Sequence, residues 1–134
     1  GVLALVMVLL LQVAALIRLG GQAPLGLCLA AFWARVAPLW AIARFGYLRA
    51  DGTAAFHREH GRPLWDALPA LLVVVVLAGW VGTMPLLLGG VVALLVAQSL
   101  GRRLGGHTGD SYGAVLVLTE MITLLGLALL LPAS

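Results

Sequence analysis

The sequence predicts an all-α integral membrane protein: a bundle of about five transmembrane helices, two of them paired as a short hairpin. Three observations predict it. Of the 134 residues, 63% are hydrophobic and only 10% are charged, against about 25% charge in a soluble domain. Mean hydropathy is +1.12, so an outside built from eight basic and five acidic side chains cannot face water everywhere and must face lipid. Long apolar runs also alternate with short stretches rich in glycine, proline and arginine.

Residues 1–17 (GVLALVMVLLLQVAALI) are the first span, ended by the breakers of RLGGQAP at 18–24. The second runs over about 24–43 and carries Arg35 and Pro38. A polar stretch follows at 44–66. Residues 67–100 are apolar almost throughout, with GTMP at 82–85. At the helical rise this run reaches about 51 Å, too long for one span of about 30 Å and short for two. A tight hairpin turning at Gly82–Pro85 is the preferred reading, and one kinked helix is the other. The last span covers about 111–131. The whole of 1–134 is read as a single transmembrane domain.

Charge tests the count. With five spans, the loops 44–66 and 101–110 share one face and hold Arg44, Arg49, Arg58, Arg62, Arg102 and Arg103, whereas the other face holds Arg18. The excess places these two loops in the cytoplasm by the positive-inside rule, in a cytoplasmic (inner) membrane. A four-span chain would divide the arginines. The net charge of +3 is this bias and no nucleic-acid signal, since no basic stripe with interleaved aromatics exists. Cys28 is a small hydrophobe in an apolar run.

Polar groups inside the bilayer are costly and are retained for a reason. Arg35 lies about 13 Å along its helix from Arg44 and lines a cavity, pairs with an acid, or snorkels. Glu120 lies near mid-membrane in the last span, which makes an Arg35–Glu120 contact a natural hypothesis. His57 and His60 share a helical face, but without a placed carboxylate a solvated loop is the better reading than a metal site. Tyr47, Phe56, Trp40 and Trp65 read as interface anchors.

RRLGGHTGD at 102–110 is the one concentrated polar knot. Gly105, Gly106 and Gly109 let backbone N–H groups approach a ligand, and the helix that follows adds partial positive charge, a combination suited to phosphate. Asp110 is either an ordinary N-cap or a ligand for Mg²⁺ held against that phosphate. The cap explains one residue; phosphate with a cation also explains His107, Thr108 and the glycines.

RRLGGHTGDSYGA, with Glu120 in LTEM, resembles the C-terminal signature of the cobalamin synthase (adenosylcobinamide-GDP ribazoletransferase) family. GVLALVMVLLLQVAAL and ARVAPLWAIARFGYLRADGTAAFH are similar to other stretches of that family. The resemblance implies transfer of the adenosylcobinamide phosphate group from adenosylcobinamide-GDP to α-ribazole or its 5′-phosphate, with release of GMP, using Mg²⁺. It implies that Gly105, Gly106, His107, Thr108, Gly109 and Asp110 line a phosphate site, with Arg35 clamping developing charge and Asp110 and Glu120 as cation ligands. Gln12 and His107 depart from the family's usual basic and apolar residues. The family's upstream acidic, histidine-bearing segment is missing, so the chain reads as the C-terminal part of a longer protein and is expected to be inactive alone. A homo-oligomer or an association with other enzymes of corrinoid assembly is left open. The rivals are a small transporter or channel subunit, a structural membrane subunit, and another membrane phosphotransferase acting on a lipid pyrophosphate. A transporter often carries an inverted repeat and spreads polar residues through the membrane depth, and neither pattern is found.

Overall fold

The computed structural model describes residues 1–45 and 63–132. Their elements are helical: α1 (Val2–Leu19), a 3₁₀ turn (Gly20–Gln22), α2 (Ala23–Arg44), α3 (Pro63–Val81), α4 (Thr83–Leu104) and α5 (Gly109–Leu130). Three segments are long and apolar enough to cross a bilayer, namely Val2–Arg44 (43 residues, two helices joined by the 3₁₀ turn), Thr83–Leu104 and Gly109–Leu130. The apolar part of α3, Leu68–Val81, reaches only about 21 Å. The protein is an all-α membrane bundle.

Two buried clusters show how the helices alternate. One joins Ala15 and Leu19 of α1, Leu29 and Ala30 of α2, Leu86 of α4 and Leu124, Leu127 and Ala128 of α5, with Val74, Leu77, Ala78 and Val81 of α3 against it. The other joins Ala37 and Ala41 of α2, Val92, Ala93, Val96 and Ala97 of α4 and Val115 of α5. The late residues of α1, α3 and α5 thus meet the early residues of α2 and α4 at one end. The opposite end gathers the last turns of α2 and α4 and the first turn of α5. We term it the arginine end, because Arg44, Arg102 and Arg103 close those helices.

The contact surfaces are made of small residues at every fourth position. In α4 these are Gly89, Ala93, Ala97 and Gly101; in α2, Gly26, Ala30 and Ala34, continued by Ala37 and Ala41. Ser111, Val115, Thr119, Thr123 and Leu127 form the buried row of α5. Lipid removes the hydrophobic drive between helices, so close backbone approach and van der Waals packing hold the bundle. At Gly89 the Trp33 indole lies where a β-carbon would be, and its six-membered ring continues over Gly90.

The break in residues 67–100 is narrower than the expected turn at 82–85. Gly82 alone leaves helical geometry, at φ 85°, and Thr83, Met84 and Pro85 form the first turn of α4, where a missing proline N–H costs nothing. The expected loop 101–110 also shrinks, because α4 continues through Arg102 and Arg103, good helix formers that the C-terminal dipole favours. Most of 44–66 lies outside the described residues, including His57, His60, Arg49, Arg58, Arg62, Tyr47 and Phe56.

Candidate phosphate site at the arginine end

The chain leaves α4 through Gly105 (φ 70°) and Gly106 (φ 152°), conformations that side-chain-bearing residues rarely adopt. It re-enters helix at Thr108, whose extended backbone makes it the N-cap of α5. Thr108 Oγ1 accepts from the Ser111 N–H at 3.3 Å, and Ser111 Oγ accepts from the Thr108 N–H at 2.8 Å. This reciprocal pair is a capping box with serine at the third helical position. Asp110 is therefore not the cap. It stands exposed in the first turn, where its charge favours the helix dipole. The Tyr112 N–H is used by Thr108 O at 3.1 Å. Among the described residues, the N–H groups of Gly109 and Asp110 have no protein partner, and both residues are exposed.

Beneath the cap, His107 is fully buried, at 0% exposure. Its ring stacks on Tyr112 (5.1 Å, 18°) and meets Phe45 edge-on (5.5 Å, 72°). Nδ1 lies 3.0 Å from Ser111 Oγ, while Nε2 is buried with no hydrogen-bond partner among the described residues. Burial lowers the His107 pKa below 6.5, and the Ala97 carbonyl opposes that shift in part. Phe45, the residue that ends α2, lies over Gly101 of α4, with ring carbons 2.6 Å from where a β-carbon would stand.

Charge at this end is mostly positive. Arg44, Arg102 and Arg103 are exposed, and the Arg44 guanidinium lies 5.7 Å from the Phe45 ring centre. Arg18 belongs to the opposite end, where its Nε donates to Ala128 O at 2.8 Å and satisfies a carbonyl in the last turn of α5.

Arg35 and Glu120 do not pair. They lie at similar depth, about 13 Å from Arg44 and about 16 Å from Gly109 along their helices. Arg35, however, is exposed, and its Nη1 donates to Ala31 O at 2.8 Å on its own helix. The reason is azimuthal: with Ala30, Ala34, Ala37 and Ala41 facing the core, 100° per residue turns Arg35 about 130° away from that face. Glu120 is half-buried. Ten residues, about 15 Å of helix, separate it from Asp110, so the two carboxylates cannot share one cation. No group of three metal-ligating side chains exists among the described residues. Asp110 alone fits Mg²⁺ in the common arrangement of one carboxylate completed by substrate phosphates and water.

The structure thus joins Gly105, Gly106, His107, Thr108, Gly109 and Asp110 at one end and sets Arg35 and Glu120 apart from them. It adds Ser111, Tyr112 and Phe45, which sequence reasoning missed. Thr-x-x-Ser at 108–111 was a readable capping signal; the contact of Phe45 with His107, across distant positions, was not.

Residues 1–128 match the family described as cobalamin-5-phosphate synthase. The chain belongs to that family. Among curated relatives, an adenosylcobinamide-GDP ribazoletransferase of Prochlorococcus marinus is 55% identical over 100% of this chain and 57% of its own length. Proteins of the same name from Trichormus variabilis and a Synechocystis species are 36% and 37% identical, over 97% and 96% of this chain and 56% and 54% of their own lengths. The synthase-family chain therefore spans little more than half the length of these relatives. No solved structure matches it.

Proposed function

We propose that this synthase-family chain forms the phosphate-binding part of an adenosylcobinamide-GDP ribazoletransferase. The observation that carries the reading is the start of α5, where two unpartnered N–H groups, the Thr108 cap and the helix dipole lie at the same end as Arg44, Arg102 and Arg103. Such an end binds a pyrophosphate. By the positive-inside rule it faces the cytoplasm across the inner membrane, from which large soluble substrates arrive.

In the proposed reaction, a hydroxyl oxygen of α-ribazole or its 5′-phosphate bonds to the phosphorus carried by adenosylcobinamide. The pyrophosphate P–O bond breaks, GMP leaves with the electron pair, and the hydroxyl proton passes to water. The chain's residues position and neutralise, as phosphoryl transfer generally requires. The Gly109 and Asp110 N–H groups hold a phosphate oxygen, and the three arginines favour the charged substrate and the departing GMP. Asp110 would hold Mg²⁺, which when bound supplies further neutralisation of the pyrophosphate.

The test is chromatographic detection of the cobalamin product by the full-length protein in bilayer vesicles given adenosylcobinamide-GDP and α-ribazole. Asp110→Asn is expected to slow turnover by about 100-fold or more, in the range of lost electrostatic stabilisation. Wild-type rates in that variant would remove Asp110 from the site. Turnover of a polyprenyl pyrophosphate in place of adenosylcobinamide-GDP would replace the reading.

A further inference from the structure

We propose that His107 is a positioning residue that acts through Ser111, holding the first turn of α5 in the geometry that receives the substrate's phosphate. The inference rests on the transferase reading above and assigns a role to a histidine that this reading leaves unused.

Ser111 Oγ is the shared atom. It accepts the Thr108 N–H at 2.8 Å and lies 3.0 Å from both Thr108 O and His107 Nδ1. Its single proton can serve only one of those two acceptors. Thr108 O also receives the Tyr112 N–H, and its second lone pair is within reach of the Ser111 hydroxyl at 3.0 Å. In either tautomer Nδ1 is a hydrogen-bond partner of Ser111 Oγ, accepting the Ser111 proton or donating its own. The imidazole thereby fixes the Ser111 rotamer, which fixes the Thr108 N–H. The cap in turn aims the free N–H groups of Gly109 and Asp110.

The ring itself cannot move to solvent or touch substrate. It is fully buried, stacked on Tyr112 and bounded by Phe45, and Phe45 is seated on Gly101. The last turn of α2, the last turn of α4 and the start of α5 are thus tied together through one side chain. A residue needed only to fill space here could be any aromatic, and a phenylalanine would leave no orphaned Nε2. What histidine adds is a hydrogen-bond partner for Ser111.

The experiment compares His107→Phe, which keeps the stacked ring and loses the partner of Ser111, with His107→Asn, whose side-chain amide can stand in for Nδ1 as acceptor or donor. Both are made in the full-length protein in bilayer vesicles. Two readouts are taken: amide hydrogen exchange over 108–112, which needs no substrate, and KM and kcat with adenosylcobinamide-GDP and α-ribazole. H107F is expected to speed exchange across 108–112 and to raise KM for adenosylcobinamide-GDP about tenfold, the scale of one lost buried hydrogen bond, with kcat within about threefold. H107N is expected to restore KM. Should H107F fail to fold, Ser111→Ala must raise KM by a similar factor. An H107F enzyme with wild-type KM, or an H107N enzyme as impaired as H107F, overturns the proposal whatever the exchange rates. A wild-type protein with no transferase activity overturns the transferase reading instead, and unchanged exchange in H107F then also refutes the link from His107 to the cap.

Discussion

Gly89→Ala tests whether close approach of small residues holds this bundle. A β-carbon at Gly89 would stand 2.7 Å from Trp33 Cγ and nearer still to Cδ1. Ordinary contact begins near 3.4 Å, so the indole or all of α4 must move by about 1 Å. The ring has little freedom to do so, because its far edge lies 3.1 Å from the β-carbon position of Gly90 and its Nε1 is buried. Overpacking of this kind costs about 1–3 kcal/mol. Helix propensity acts in the other direction and returns up to about 1 kcal/mol for glycine to alanine.

Gly79→Ala in α3 isolates that second effect, since nothing lies within 4 Å of its β-carbon position. The helix-propensity gain is common to both, so the two variants should differ by about 1–3 kcal/mol, Gly79→Ala at or above wild type and Gly89→Ala below it. Reversible unfolding of the full-length protein in mixed micelles, followed by circular dichroism, measures the difference. Adding Trp33→Leu should remove most of the Gly89→Ala penalty. Equal stability of the two alanine variants would refute the claim that the Trp33 contact fixes the spacing of α2 and α4.

Acid should weaken the fold through His107. Burial holds its folded pKa below 6.5, so the unfolded chain takes up the proton first, and stability falls as pH drops through about 6.5 towards the lowered folded value, by at most about 1.4 kcal/mol per pH unit. Melting curves between pH 7 and about 5 should show a shallower decline in His107→Phe, and an identical decline in both proteins would show that another group is responsible. Arg35 and Glu120, unpaired here, should give a coupling energy below about 0.5 kcal/mol in a double-mutant cycle of Arg35→Gln and Glu120→Gln. A coupling above about 1.5 kcal/mol would mean that they meet.

Helix positions were legible because long apolar runs and glycine or proline breaks carry them: α1 and α2 end within two residues of the expected spans. Helix faces were not. In a soluble helix the core face is apolar and the outer face polar, but here both are apolar, and the usual periodic contrast disappears. What remains is periodicity of size, as in Gly89, Ala93, Ala97 and Gly101, which a hydropathy reading passes over because alanine and leucine count alike. Arg35 shows the consequence. Counting residues fixed its depth, which is why a partner at the depth of Glu120 suggested itself, but depth carries no information on azimuth. Only the alanine stripe of α2 turns Arg35 away.

The polar knot at 102–110 was legible as a concentration of polar residues, but not as a division of labour. Read as a string, every residue of GGHTGD is available to a ligand. In the fold, Gly105 and Gly106 are taken up by the exit from α4, Thr108 and Ser111 by each other, and His107 by its aromatic box. In the proposed site, what is left to face a phosphate among the described residues is the pair of N–H groups at Gly109 and Asp110, the Asp110 carboxylate, and the arginines on neighbouring helix ends. The ligand-facing part is therefore smaller than the motif. Its rigidity comes from the residues the motif spends on itself: a capping box locked from below by a buried ring cannot reorient when an anion arrives. In the proposed transferase, that is the preorganisation on which electrostatic stabilisation of the departing phosphate would depend.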